Sequence, residues 1–107
     1  MKLKKDLKKH KCRFGDYDIL DAFKMMGNRY RMNILLVLDD NSNLTLDQIN
    51  GLVGGEFKNI HVHAKKLHLY GLINKKYVGV SVQHTISEYG KVAVFCYNKF
   101  LKDPYNN

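Results

Sequence analysis

Residues 45–73 read TLDQINGLVGGEFKNIHVHAKKLHLYGLI, and the fold is decided in this stretch. Thr45 followed by Gln48 three positions on has capping-box form, in which hydroxyl and amide each satisfy an unpaired backbone N–H at a helix start. Leu46, Ile49, Leu52 and Val53 then recur at helical spacing, which predicts a short helix stopped by Gly54-Gly55. Glycine reaches the positive-φ conformations that a tight turn requires, so a further helix is expected to start at once, near Glu56, and to run to Gly71. Phe57, Ile60, Ala64 and Leu67 form its inward stripe, and Lys58, Asn59, His61, Val62, Lys65 and Lys66 are left outside.

Working upstream, Ile19, Ala22, Phe23 and Met26 predict a first helix over Asp18 to Met26, with Asp16 or Asp18 as its cap and Gly27 as its stop. Tyr30, Ile34, Val37 and Leu38, widened by Met32 and Leu35, predict a largely buried second helix from Arg29 to Leu38. The polar run from Asp39 to Asn43 ends it.

Downstream of Gly71 the hydrophobic period changes from 3.6 to 2, and a turn at Val78-Gly79 predicts a β-hairpin pairing Tyr77 with Val80, Lys75 with Val82 and Ile73 with His84. One face then carries Ile73, Lys75, Tyr77, Val80, Val82, His84 and Ile86, and the other Asn74, Lys76, Ser81, Gln83 and Thr85. Ser87 is placed to cap a final helix running to about Lys102. In that helix Tyr89, Val92, Ala93, Val94, Phe95, Cys96, Tyr97, Phe100 and Leu101 cover most of the circumference, more apolar surface than one small core can take. A dimer interface through the C-terminal helix is therefore expected, formed by Ile19, Phe23, Val92, Phe95, Cys96, Tyr97 and Phe100. The fold class is mainly α with a small β-hairpin (α+β), in the order α-α-α-α-β-β-α.

A chain of 107 residues, 45% hydrophobic, holds one modest core. Its formal charge of +8 points to a polyanionic partner, and the distribution narrows the choice. Residues 1–13 carry Lys2, Lys4, Lys5, Lys8, Lys9, Lys11 and Arg13 against Asp6 alone, and supply most of the excess. They read as a basic N-terminal arm, and 14–107 as the folded domain. From Phe14 to Val53 acids outnumber bases; from Gly54 to Ile86 Lys58, Lys65, Lys66, Lys75 and Lys76 face Glu56 alone. A surface that meets phosphates is built from this second segment.

Cys12 and Cys96 are too few for a disulfide framework or a structural zinc site, so neither metal nor cofactor is expected. No apolar run approaches a membrane span or a signal sequence, which suggests a cytoplasmic protein that does not meet a membrane. No nucleophile with a base, paired carboxylates or phosphate loop stands out, and an enzyme is not expected.

In order and spacing the chain resembles the ArsR-like winged helix-turn-helix regulators, with the MarR-like regulators a second resemblance. Gly27 to Leu35 is similar to the second-helix signature, Ala64-Lys65-Lys66-Leu67 with Gly71-Leu72-Ile73 to the recognition helix and wing start, and Ile86-Ser87-Glu88-Tyr89-Gly90 to the wing close. The chain departs from the metal-sensing members: Leu46 to Val53 contains no cysteine, and the Asp and His ligands of the last helix are missing.

The resemblance implies a homodimer that binds double-stranded DNA and regulates transcription, commonly by repression, with the helix about 56–70 in the major groove and the wing 72–86 on the backbone or minor groove. Lys58, Asn59, His61 and Val62 are then expected to reach base edges, since lysine donates to guanine, asparagine pairs with adenine and valine meets the thymine methyl. Lys65, Lys66, Thr45, Lys75, Lys76, Ser81 and Gln83 are expected on phosphates. His63 and His68, between apolar positions, read as packed side chains, and His61 as an imidazole that could charge on acidification. A protein-docking winged helix and a weakly specific architectural DNA binder are the alternatives. The sequence names no effector.

Overall fold

The computed structural model describes residues 19–54 and 59–101. Within them the order is α1 (Ile19–Met26), α2 (Arg29–Asp40), α3 (Leu46–Leu52), α4 (Ile60–Leu69), β1 (Ile73–Val78), β2 (Ser81–Ile86) and α5 (Glu88–Leu101). The arm 1–13, Cys12, both expected caps of the first helix and Lys58 lie outside the described residues.

Helix α2 is set by Asn28, whose side-chain oxygen accepts from the N–H groups of Tyr30 and Arg31. It continues past the expected end at Leu38 to Asp40, because Asn41 returns its own N–H to the Val37 carbonyl before the chain turns extended. Ile34, Leu35 and Leu38 are its most buried side chains, and they meet Ile49, Leu67, Leu72, Ile73 and Val94 in one core. Burying each such aliphatic side chain contributes about 1.5–3 kcal/mol, the largest contribution holding α2 at the centre.

The capping box at α3 is formed in both directions: Gln48 N–H donates to Thr45 Oγ1 at 3.3 Å, and Thr45 N–H to Gln48 Oε1 at 2.9 Å. Gly54 closes the helix at φ +103, a conformation that L side chains rarely adopt. The expected immediate start of the next helix near Glu56 lies outside the described residues; Asn59 has φ −127 and ψ 46, and the described helix begins at Ile60. Its other end follows expectation. Leu72 N–H reaches the Leu67 carbonyl and Gly71 N–H the His68 carbonyl, a Schellman closure with Gly71 at φ +77 and the side chains of Leu67 and Leu72 both buried.

The hairpin is present with a different register. Ile73 pairs with Ile86, Lys75 with His84, Tyr77 with Val82 and Val78 with Ser81, so the turn residues are Gly79 and Val80. Glycine at the first turn position with φ +61 suits a two-residue hairpin turn, whereas the expected turn put Val78 there. The slip is two residues, and because side chains alternate with a period of two, the face assignments survive it. A short extra bridge, unforeseen in the sequence, pairs Leu44 with His84 and fastens the loop before α3 to β2.

Candidate nucleic-acid interface

Helix α4 turns Ile60, Ala64 and Leu67 into the core and leaves Asn59, His61, Val62, Lys65 and Lys66 exposed. The stripe spacing dictates this division: residues three and four apart share a face, and the outward positions fall between them. Asn59 is the N-cap of α4, yet its side chain makes no capping hydrogen bond. The residue is exposed at the start of the helix. Lys65 and Lys66 point about 100° apart around the helix axis.

The second component is the wing. Lys75 is half-buried at an inward position of β1, and Lys76, directly paired with Gln83, is on the opposite face. The expected phosphate set of Lys75, Lys76, Ser81 and Gln83 is thereby divided between the two sides of the hairpin. On one side, Thr45, His61, Lys75 and Tyr77 line a single open groove between the start of α3, α4 and the wing, and Ser81, on the Lys76 face by alternation, contributes to its rim. On the other, Thr85 faces Asp39, Asp40 and Lys91.

The Leu44–His84 bridge holds the groove together. Leu44 and His84 exchange both backbone hydrogen bonds, at 3.1 and 2.7 Å, and His84 Nδ1 lies 3.0 Å from the Leu44 carbonyl oxygen, to which its N–H donates. Thr45, the next residue, is thus fixed beside the wing. Burial, with Lys75 nearby, holds the His84 imidazole below its ordinary pKa against the opposing effect of the Leu44 hydrogen bond. Thr45 Oγ1 accepts from Gln48, so its remaining O–H hydrogen can be offered to a phosphate oxygen.

Two features of the surface escape sequence reasoning. Asp47 lines the same groove, adding one negative charge beside Lys75 and His61. Tyr77 and Val80 stand 74% and 104% exposed, so the wing carries apolar side chains at and beside its tip. The alternation that put Tyr77 on the inward face gives its direction but not how far the hairpin projects beyond the core.

His63 and His68, both expected as packed side chains, differ from one another. His68 is exposed. His63 is half-buried and stacks on Tyr30, with ring centroids 5.6 Å apart.

The expected dimer residues belong to α1 and α5. Phe23, Val92, Phe95 and Phe100 are half or more exposed, as is Leu20. Cys96 is half-buried with a free thiol, Tyr97 packs against the core, and the Ile19 side chain lies outside the described residues. Only Gly90, Ala93 and Val94 of α5 are buried within the chain. Among the described residues no helix is long and apolar enough to cross a membrane.

Three helices packed on α2, a two-stranded hairpin and a returning helix define a winged helix-turn-helix fold. Solved proteins share it. The transcriptional regulator YodB from B. subtilis, in its reduced form, superposes with a TM-score of 0.65 at 17% identity, over 78% of this chain and 84% of its own. The transcriptional regulator HlyU from Vibrio vulnificus gives 0.64 at 19%, over 77% and 85%. The transcriptional repressor BigR from Xylella fastidiosa gives 0.65 at 10%, over 78% and 83%. No protein-family model matches the chain, and no curated protein does. At these identities the likeness establishes the fold, and chemistry has to be argued from the surface itself.

Proposed function

We propose that the protein is a sequence-specific double-stranded DNA-binding transcriptional regulator that acts as a homodimer and represses by occupying its site. The observation that carries this reading is the exposed edge of α4, where Asn59, His61, Val62 and Lys65 stand clear of the core beside a groove that adds Thr45 and Lys75. A helix so presented fits the major groove, with Asn59 and Val62 toward base edges and Lys65, Lys75 and Thr45 toward phosphates. Lys58, outside the described residues, joins the base-reading group in this proposal, and Lys66, Lys76, Ser81 and Gln83 the phosphate-facing one. The reading requires no cofactor and no catalytic step. That YodB, HlyU and BigR are transcriptional regulators on the same fold supports it.

The apolar strip of Phe23, Val92, Phe95 and Phe100 supports the homodimer, since isolated domains seldom leave several large apolar side chains together in water. Two α4 helices related by a two-fold axis would read a palindrome with half-sites about one helical turn apart. Selection from a random duplex pool, followed by sizing of the bound complex, tests the proposal. An enriched palindrome holding two chains is the expected result. Salt-sensitive binding without enrichment would point to an architectural binder, and no salt-sensitive binding to a protein-docking module.

A further inference from the structure

Arg31 is charged, 8% exposed, and occupied at both ends of its guanidinium. Its Nε–H donates to the Met25 carbonyl in the last turn of α1, and its terminal nitrogen lies 3.4 Å from His63 Nδ1 on α4. An imidazole nitrogen accepts from a guanidinium only when unprotonated, so this contact selects the His63 tautomer with its hydrogen on Nε2. Tyr30 stacks on the same ring and limits its rotation.

The placement matters because of what the two helices carry. Helix α1 bears Leu20 and Phe23 on the apolar strip, and His63 lies one and two residues from Val62 and His61 on the outward edge of α4. We propose that Arg31 is a positioning residue, bracketing α1 to α4 through Met25 and His63, so that the strip joining two chains and the edge meeting DNA keep one relative orientation. This inference rests on the DNA-binding reading above and goes beyond it by naming the side chains that fix the helix.

The bracket has a built-in sensitivity. Among the described residues, Arg31 from α2 and Lys66 from α4, both cationic, act on His63. Helix α1 contributes the Met25 carbonyl, while its Asp21 and Lys24 are exposed, as is Asp47 of α3. Burial first, then those two cations, hold His63 below its ordinary pKa. Protonation places two cations against each other and removes the acceptor, and the bracket opens. His61, exposed on the same helix, is kept unchanged in each variant of the test.

The test uses the full chain and the palindromic duplex enriched from the random pool, with affinity measured from pH 7.5 to 5.5. Arg31→Met is expected to weaken binding about tenfold at pH 7.5, the size of one lost charge-assisted hydrogen bond. His63→Gln, whose amide oxygen accepts from Arg31 but does not titrate, is expected to bind as the wild type does at pH 7.5 and to lose less affinity in acid. Should Arg31→Met fail to fold, the His63→Gln pH profile still decides. A His63→Gln slope equal to that of the wild type overturns this inference alone. A wild type that enriches and binds no duplex at any pH overturns the DNA reading and the inference together.

Discussion

The Ser87 hydroxyl donates to the Gly71 carbonyl across 2.6 Å, joining the residue that ends α4 to the residue that begins α5. The same oxygen accepts from Gly90 N–H at 3.0 Å, and Ser87 is 1% exposed. One buried side chain therefore closes both bases of the wing. Ser87→Ala strands the Gly71 carbonyl and removes the cap of α5, and should cost about 1–2 kcal/mol in urea unfolding. A loss near zero would mean that water or a backbone shift replaces both bonds.

Acid should destabilise the fold through His84. Its side chain is 2% exposed, and burial lowers its pKa, so the folded state holds it neutral while the unfolded chain protonates it near the ordinary value of about 6.5. The unfolded state then binds more protons, and the stabilisation is full above about pH 6.5 and lost as pH falls through the lower folded value. Thermal melts should show Tm dropping between pH 7 and pH 5. His84→Asn keeps a donor toward the Leu44 carbonyl without a titrating group, so its acid slope should be shallower, and parallel slopes would assign the acid response elsewhere.

Much of this fold is readable along the chain because its signals are local. Thr45 and Gln48 announce a helix start by their spacing, and Gly71 with Leu72 a helix end, since both motifs close within a few residues. The hairpin register is harder to read because Val78-Gly79 and Gly79-Val80 both have the composition of a turn, and what separates them is the positive φ at the first turn position. The Leu44–His84 bridge and the Arg31–His63 contact join residues 40 and 32 positions apart, and no local pattern encodes such distances. For the interface, the stripe of Ile60, Ala64 and Leu67 is enough to leave Lys65 and Val62 outside, and strand alternation is enough to split Lys75 from Lys76 across the wing.

The apolar strip gives the proposed homodimer a direct check. Phe95 is 60% exposed on α5 and does not belong to the buried core of its own chain. Phe95→Glu should therefore leave the monomer folded, with far-ultraviolet dichroism unchanged, and shift sedimentation from dimer to monomer by burying a charge in any joined state. Weaker binding to a palindrome should accompany it, since the two half-sites would no longer be held together. A variant that sediments as the wild type does places the contact between chains on another face.

Affinity and sequence preference should separate within α4. Asn59 presents an amide whose donor and acceptor match an adenine edge, so Asn59→Ala should relax preference at one position of each half-site by about 1–3 kcal/mol. Lys65 is an exposed point charge with no such pattern. Lys65→Ala should weaken binding to all duplexes alike and reduce the slope of log affinity against log salt by about 1 per chain. Binding of both variants to the selected palindrome and to single-position changes, across a salt series, distinguishes the two roles. If Lys65→Ala alters preference and Asn59→Ala only the salt slope, then α4 lies in the groove rotated from the orientation that Ile60, Ala64 and Leu67 dictate, and the assignment of reading and anchoring side chains must be exchanged.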